Sequence, residues 1–143
     1  MANLSCIPKF VKKEIADGYV AEVWKLMLLS KNHTPNPGTQ QYVSDVVANE
    51  IVDGGAVPKY TAGGIAVSGK APLADGNNYA LDALDSVIGP GASVNYRYAV
   101  LFVDTGSQAT SKIRAQVDFI DDQIVTNGTS TIIWNTLGII YIS

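Results

Sequence analysis

The feature that most constrains the fold is an alternation of apolar and polar side chains in the second half of the chain. In residues 113–119, which read IRAQVDF, Ile, Ala, Val and Phe alternate with Arg, Gln and Asp. Successive side chains of a β-strand point to opposite faces, so this pattern is typical of a strand with one buried and one solvated face. Residues 94–104 are apolar on both faces in their second half, which predicts a central strand.

Similar runs recur along the chain, and turns rich in Gly and Asn separate them about every ten residues, a spacing typical of a sandwich or barrel. The predicted strands lie at residues 23–30, 60–70, 78–84, 94–104, 113–119, 129–135 and 138–143. We therefore expect a mainly β fold: an antiparallel β-sandwich or barrel-like domain with one or two short helices near the N-terminal half.

Two segments have helical spacing instead. In residues 5–18 an apolar stripe is expected to face a core, with Ser5 as the start signal and Gly18 as the stop. The stripe consists of Ile7, Phe10, Val11 and Ile15. Residues 40–52 carry Val and Ile at helical spacing and predict a second short helix. We divide the chain into an N-terminal arm with its short helix, residues 1–19, and a β-rich single domain, residues 20–143.

Composition limits the partners and the compartment. Charged residues make up 16% of the 143 positions and the net charge is -3, so the basic cluster that nucleic acid or an anionic membrane needs is missing. One cysteine, Cys6, excludes an intrachain disulfide. The N-terminus does not combine a basic start with a following apolar run, so no signal peptide is predicted. No run approaches the roughly 18 apolar residues of a membrane span. We expect synthesis and folding in a reducing cytoplasm.

The segment 60–70, YTAGGIAVSGK, resembles a phosphate-binding loop at first sight. Gly64 is followed after four residues by Gly69 and Lys70, but Ala71 stands where such a loop has Ser or Thr. The hydroxyl that would hold magnesium is therefore missing. We interpret Gly63 and Gly64 as structural glycines that allow a close backbone approach, and we expect no cofactor.

Little in the sequence supports catalysis. His33 is the only histidine, and a single loop histidine is more often solvated or capping a turn than part of a catalytic triad. Asp121 and Asp122 are adjacent and can be calcium ligands or a hydrolytic acid pair, although a solvated turn is the more ordinary role. We expect a protein that is not an enzyme and holds no metal.

Five segments in fixed order carry a resemblance to a known family. They are VWKLMLLSKNHTPN, YVSDVVANEIV, YTAGGIAVSGK, RYAVLFVDTGSQATSKIRAQVDF and IIWNTLGIIYI. Together they span most of residues 20–143 and look like a widespread family of small tailed-bacteriophage structural proteins. The chain departs from that family in its N-terminal extension and in the looser region 72–93.

The resemblance implies a virion structural protein, synthesised in the host cytoplasm, that decorates or cements the capsid exterior. Its implied partners are the major capsid protein and further copies of the chain, with a trimer matching local threefold lattice positions. The docking surface would be the helix at residues 5–17 or the exposed loop with His33 and Pro35. An alternative is a tail or fibre-associated module that binds a host glycan, with Trp24 and Trp134 as stacking surfaces.

The segment RYAV, which belongs to this resemblance, also contains a charged residue within a predicted core strand. Arg97 is expected to pair with an acid there, and the candidates are Asp104 and Asp118. We regard Arg97 as a structural or interaction residue.

Overall fold

The structure is a computed structural model that describes residues 8–136 and 138–142. It is mainly β with antiparallel sheets and one α-helix in the N-terminal part, so the predicted fold class is confirmed. The elements are α1 (Lys9–Ala21), β1 (Trp24–Leu29), two 3-10 helices (Val43–Asp45 and Val47–Asn49), β2 (Ile65–Ala66), β3 (Ala71–Asp75), β4 (Asn78–Asp82), β5 (Ser86–Val103), β6 (Ile113–Ile132) and β7 (Ile140–Ile142).

The chain forms two compact units. Unit 1 comprises the described parts of residues 1–22, 67–86 and 132–143, and unit 2 comprises residues 23–66 and 87–131. Unit 1 contains α1 and a three-stranded sheet in the order β3-β4-β7. Strands β3 and β4 are antiparallel, with Asp75 opposite Asn78, so a two-residue turn joins them.

Unit 2 is built on a four-stranded sheet in the order β2-β1-β5-β6. Strands β1 and β5 are antiparallel, with Trp24 opposite Val103 and Leu29 opposite Tyr98. Residues 99–102 are all buried, which confirms the prediction of a central strand. The core cluster of this unit consists of Met27, Leu29, Val43, Val46, Val100 and Phe102.

Several predicted elements differ in extent. Helix α1 runs through Gly18 to Ala21, so the stop signal at Gly18 was wrong, whereas Ser5, Cys6 and Ile7 lie outside the described residues. Residues 40–52 form the two 3-10 helices and no α-helix. There the Asp45 carboxylate accepts the backbone N–H groups of Gln41 and Tyr42, both at 2.9 Å, and a side chain that binds nearby backbone competes with an α-helix.

The β predictions differ mainly in length. Of residues 60–70, only Ile65–Ala66 form a strand, because the two preceding glycines have positive φ angles. The turn expected at Asp121 and Asp122 was wrong, since β6 runs through both residues and merges two predicted strands into one of 20 residues.

Candidate interaction surfaces

The glycine pair before β2 makes a turn that brings two backbones close together. Gly63 and Gly64 have φ angles of +92° and +86°, a region that glycine adopts without strain. A Cβ on Gly64 would lie 2.8 Å from the carbonyl oxygen of Leu26, whereas a Cβ on Gly63 would meet nothing within 4 Å. Gly64 therefore lets the chain approach β1 closely, which is the role expected from the sequence.

Lys70, the residue that a phosphate-binding loop would use, caps a helix instead. Its Nζ donates to the carbonyl oxygens of Tyr19 at 3.3 Å, Val20 at 3.2 Å and Glu22. The same ammonium lies 5.6 Å from the centroid of the Tyr19 ring. A cation at a helix C-terminus is favourable because it satisfies the last carbonyls and opposes the negative end of the helix dipole. Strand β3, not a helix, follows Lys70.

A buried carboxylate that the sequence analysis missed organises the loop between residues 51 and 60. Asp53 is 5% exposed and accepts four backbone N–H groups. Its donors are Gly55 at 2.9 Å, Lys59 at 2.7 Å, Tyr60 at 3.0 Å and Ser93 at 2.8 Å. The Ser93 N–H, followed by the other three donors, holds the pKa of Asp53 far below its usual range, and burial opposes this effect.

A second buried network joins the same loop to β1. The Tyr60 hydroxyl donates to Glu50 Oε1 at 2.7 Å and accepts the N–H of Leu28 at 3.0 Å. Burial, followed by the hydrogen bond to Glu50, raises the pKa of Tyr60 well above its usual value. Glu50 Oε1 also accepts the N–H of Gly63 at 2.8 Å. Asp53, Tyr60 and Glu50 therefore use their side-chain oxygens to hold backbone N–H groups in place.

The loop with His33 and Pro35 splits into a buried and an exposed part. His33 is 2% exposed; its Nε2 lies 3.3 Å from Gln116 Oε1, and its ring meets the Tyr98 ring edge-on with centroids 5.4 Å apart. Of the two ordinary roles expected for this histidine, solvated or capping a turn, the solvated one was wrong, because the side chain is buried and anchors the loop to Gln116 of β6. Pro35 is exposed and borders a groove of about 420 Å³ that Ile113 and Gln116 also line.

The charged residue in β5 pairs with one of its two expected partners. Arg97 Nε lies 3.2 Å from Asp118 Oδ1, and Nη2 lies 3.4 Å from Oδ2. Its guanidinium carbon lies 5.3 Å from the centroid of the Tyr98 ring. Asp104 pairs with Lys25 at 2.7 Å instead. The hydrogen bond from Arg97, supported by the N–H of Ile120, lowers the pKa of Asp118; this pair is structural.

The aromatic residues proposed for glycan stacking are poorly placed for it. Trp24 is 3% exposed within β1, so it offers no face to a sugar ring and its expected stacking role was wrong. Trp134 is partly buried, and its backbone N–H donates to Asp85 Oδ1 at 2.9 Å. Tyr60 and Tyr96 are also buried.

The described residues contain neither a metal-binding cluster nor a helix that could cross a membrane. Among residues 8–136 and 138–142, no three or more His, Cys, Asp or Glu side chains gather in a way that would hold an ion. Asp121 and Asp122, which lie in this part of the chain, therefore belong to no such group. No helix in the same part combines the length and apolar character needed to cross a membrane.

Helix α1 turns its predicted core stripe outward. Phe10 is 65% exposed and Ile15 is 49% exposed, so the expected core-facing position was wrong for these two, whereas Val11 is half-buried and Ile7 lies outside the described residues. The buried face of α1 instead carries Lys12, Ala16 and Tyr19. Lys12 Nζ donates to the carbonyl oxygen of Asn77 in the β3–β4 turn at 3.3 Å and to Asn78 Oδ1 of β4 at 2.8 Å. Phe10 and Ile15 are left at the surface. We call Phe10 and Ile15 the outer stripe.

The chain was compared with models of known protein families, with curated proteins and with solved structures, and no match was found in any of the three. The resemblance to bacteriophage structural proteins therefore remains an expectation from the sequence. The outer stripe is one of the exposed apolar surfaces of unit 1, which also exposes Leu84 and Ile133.

Proposed function

We propose that this protein binds the outer surface of a bacteriophage capsid and stabilises the assembled lattice as a decoration or cement protein. The observation that carries the proposal is the outer stripe of α1, where Phe10 and Ile15 are exposed. Phe10 and Ile15 are five residues apart, and the half-buried Val11 lies between them on the helix surface. An exposed apolar patch of this kind often marks an interaction site. The family resemblance supplies the identity of the partner, the major capsid protein.

The chemistry of the helix fits a largely neutral contact. Burying two large apolar side chains contributes about 1.5–3 kcal/mol each, and the charges beside the stripe are mostly balanced, since Lys13 and Asp17 form an ion pair at 2.6 Å. Such a foothold is weak for one copy. A ligand that binds only the assembled lattice still stabilises it by mass action, and linked copies add avidity.

Cosedimentation with undecorated capsids of the phage whose genome encodes the chain tests the proposal. The wild-type protein should sediment with the capsids and raise the temperature at which they release DNA. Replacing both residues of the outer stripe, Phe10→Ser with Ile15→Ser, should weaken binding at least tenfold. Val57→Ser removes an equally exposed apolar side chain of unit 2 and should bind normally. Absence of wild-type binding, or full binding by the double variant, refutes the proposal.

Immunogold labelling of intact virions adds an independent test of position. Label over the head agrees with decoration of the capsid. Label confined to the tail contradicts it and favours the receptor-binding alternative, which a glycan array would then examine. The expected trimer is open to measurement in the same preparations.

A further inference from the structure

Strand β6 lies at one end of the four-stranded sheet of unit 2 and leaves a long edge open. The sheet order is β2-β1-β5-β6, so β5 covers one side of β6. At its start, the other side is closed by residue 41, because the N–H of Ile113 donates to the carbonyl of Gln41 at 2.9 Å. In the described part of the chain no strand pairs with that side beyond this point. An open edge of this length is a template for pairing with another chain.

The middle of β6 displays apolar side chains to solvent, which is unusual for an edge that must stay single. Ile120 is 74% exposed and Ile124 is 67% exposed. Ile120 also has a φ angle of +71°, a conformation in which a β-branched residue is an outlier. The Asp118 carboxylate accepts the Ile120 N–H at 2.8 Å and so holds the residue in this conformation. Backbone strain of this kind often marks a functional position.

The surface beside Ile124 is also uncharged. A shallow groove of about 420 Å³ adjoins the strand, and Val52, which is 83% exposed, forms part of its wall. The groove is lined by Ile51, Val52, Gly54, Ser93, Val94, Asn95, Ile124, Val125 and Thr126. A partner that covers the edge of β6 would therefore meet apolar and neutral polar groups on this side.

We propose that a second copy of this chain pairs with β6, antiparallel and edge to edge, about a twofold axis at Asp122. This register places Ile120 of each copy opposite Ile124 of the other, because the two positions are equidistant from residue 122. The two isoleucines then form two cross-strand apolar pairs. A strand edge that pairs with itself antiparallel gives an isologous contact and closes as a dimer, in contrast to the trimer expected from lattice symmetry.

The area available allows a modest contact. In this register the pairing reaches at most residues 115–129, about 50 Å at roughly 3.3 Å per extended residue, and the positive φ angles of Ile120 and Asn127 interrupt the ladder. With a covered width of about 10 Å, the two copies together bury at most about 1,000 Å², which is the lower limit for a specific interface. The Asp122 carboxylates face each other across the axis, and Lys31, 4.0 Å from Asp122 in its own chain, partly compensates them.

Light scattering after size-exclusion chromatography, over a concentration series reaching the millimolar range, tests the pairing. The expected mass is twice the chain mass of 15.2 kDa. Ile120→Gly should weaken the dimer at least tenfold without lowering the melting temperature of the monomer, because glycine accepts the positive φ angle. Val57→Ser, a control at an exposed apolar residue of unit 2 outside β6, should leave the dimer unchanged. Asp122→Asn should tighten it.

Each other outcome overturns the inference. A monomer at every concentration, a trimer, or a dimer that Ile120→Gly and Ile124→Thr leave intact contradicts pairing through β6. The proposed pairing of two copies through β6 does not depend on binding to a capsid. A wild-type protein that is monomeric and binds capsids would refute the pairing through β6 and support the proposed function. A dimer that does not bind capsids would support the pairing and refute the proposed function.

Discussion

Replacing Asp53 by Asn tests whether one buried carboxylate holds the loop of residues 51–60 in place. One Asp53 oxygen accepts the N–H groups of Gly55 and Ser93, and the other accepts those of Lys59 and Tyr60. Asparagine has almost the same shape but replaces one oxygen with an NH₂ group, which only donates. In either orientation, two backbone N–H groups lose their acceptor and face another donor.

The expected loss follows from those two unpaired groups. Leaving a buried N–H without a partner costs about 1–3 kcal/mol, so Asp53→Asn should lower the free energy of unfolding by about 4 kcal/mol. For a chain of this size, 1 kcal/mol corresponds to about 3 °C, and the melting temperature should fall by about 12 °C. Asp17→Asn removes the same charge from an exposed ion pair on α1 and should change it little.

Calorimetry at several pH values separates the carboxylate from a mere packing effect. The pKa of Asp53 is lowered in the folded protein, so its stabilisation is present above the unfolded carboxyl pKa of about 3.9 and is lost as the pH falls towards the folded value. The difference between wild type and Asp53→Asn should therefore shrink below about pH 4. A melting temperature no lower than that of Asp17→Asn, or a difference independent of pH, would refute the reasoning.

Three further substitutions, one of them with a matched control, test contacts of the same structure by chemical denaturation. Gly64→Ala should lower the free energy of unfolding by about 2–4 kcal/mol, since it combines a positive φ angle with a Cβ only 2.8 Å from a carbonyl oxygen. The control Gly63→Ala should lower it by about 1 kcal/mol. Equal losses for the two variants would contradict the close approach at Gly64. Tyr60→Phe should cost about 2–3 kcal/mol because a buried N–H and Glu50 lose their partner, and a loss below 0.5 kcal/mol, roughly the noise for surface changes, would contradict it. Lys70→Met should cost about 1 kcal/mol and speed hydrogen exchange in the last turn of α1; unchanged exchange there would argue against the cap.

The strands were predictable where a local pattern and the sheet agreed. Residues 94–104 are apolar on both faces in their second half. All but residue 104 lie in β5, the strand between two others, and residues 24–29 form β1 as expected. The alternation in residues 113–119 marked the start of β6. Its continuation through Asp121 was not predictable, because adjacent acids usually end a strand, and this edge strand has room for them at the surface.

The hydrogen-bond network around Asp53 shows what a single sequence leaves out. The local signal was only an Asp followed by two glycines, which is typical of many turns. The donor from Ser93 is 40 positions away in sequence, so no spacing rule connects it to the loop. His33 has the same difficulty, since its partner Gln116 is 83 positions distant. Such long-range polar contacts can be predicted only after the topology of the fold is known.

The outer stripe of α1 illustrates that apolar residues at helical spacing predict an apolar surface but not the molecule that covers it. Regular apolar spacing predicts that a surface favours burial, but Phe10 and Ile15 are exposed in this chain. It does not say which molecule covers that surface, and within this chain the helix buries Lys12 and Tyr19 instead. Where local pattern and fold disagree, a functional site is the usual reason. The disagreement at α1 therefore makes the outer stripe the first surface to mutate in a search for the partner.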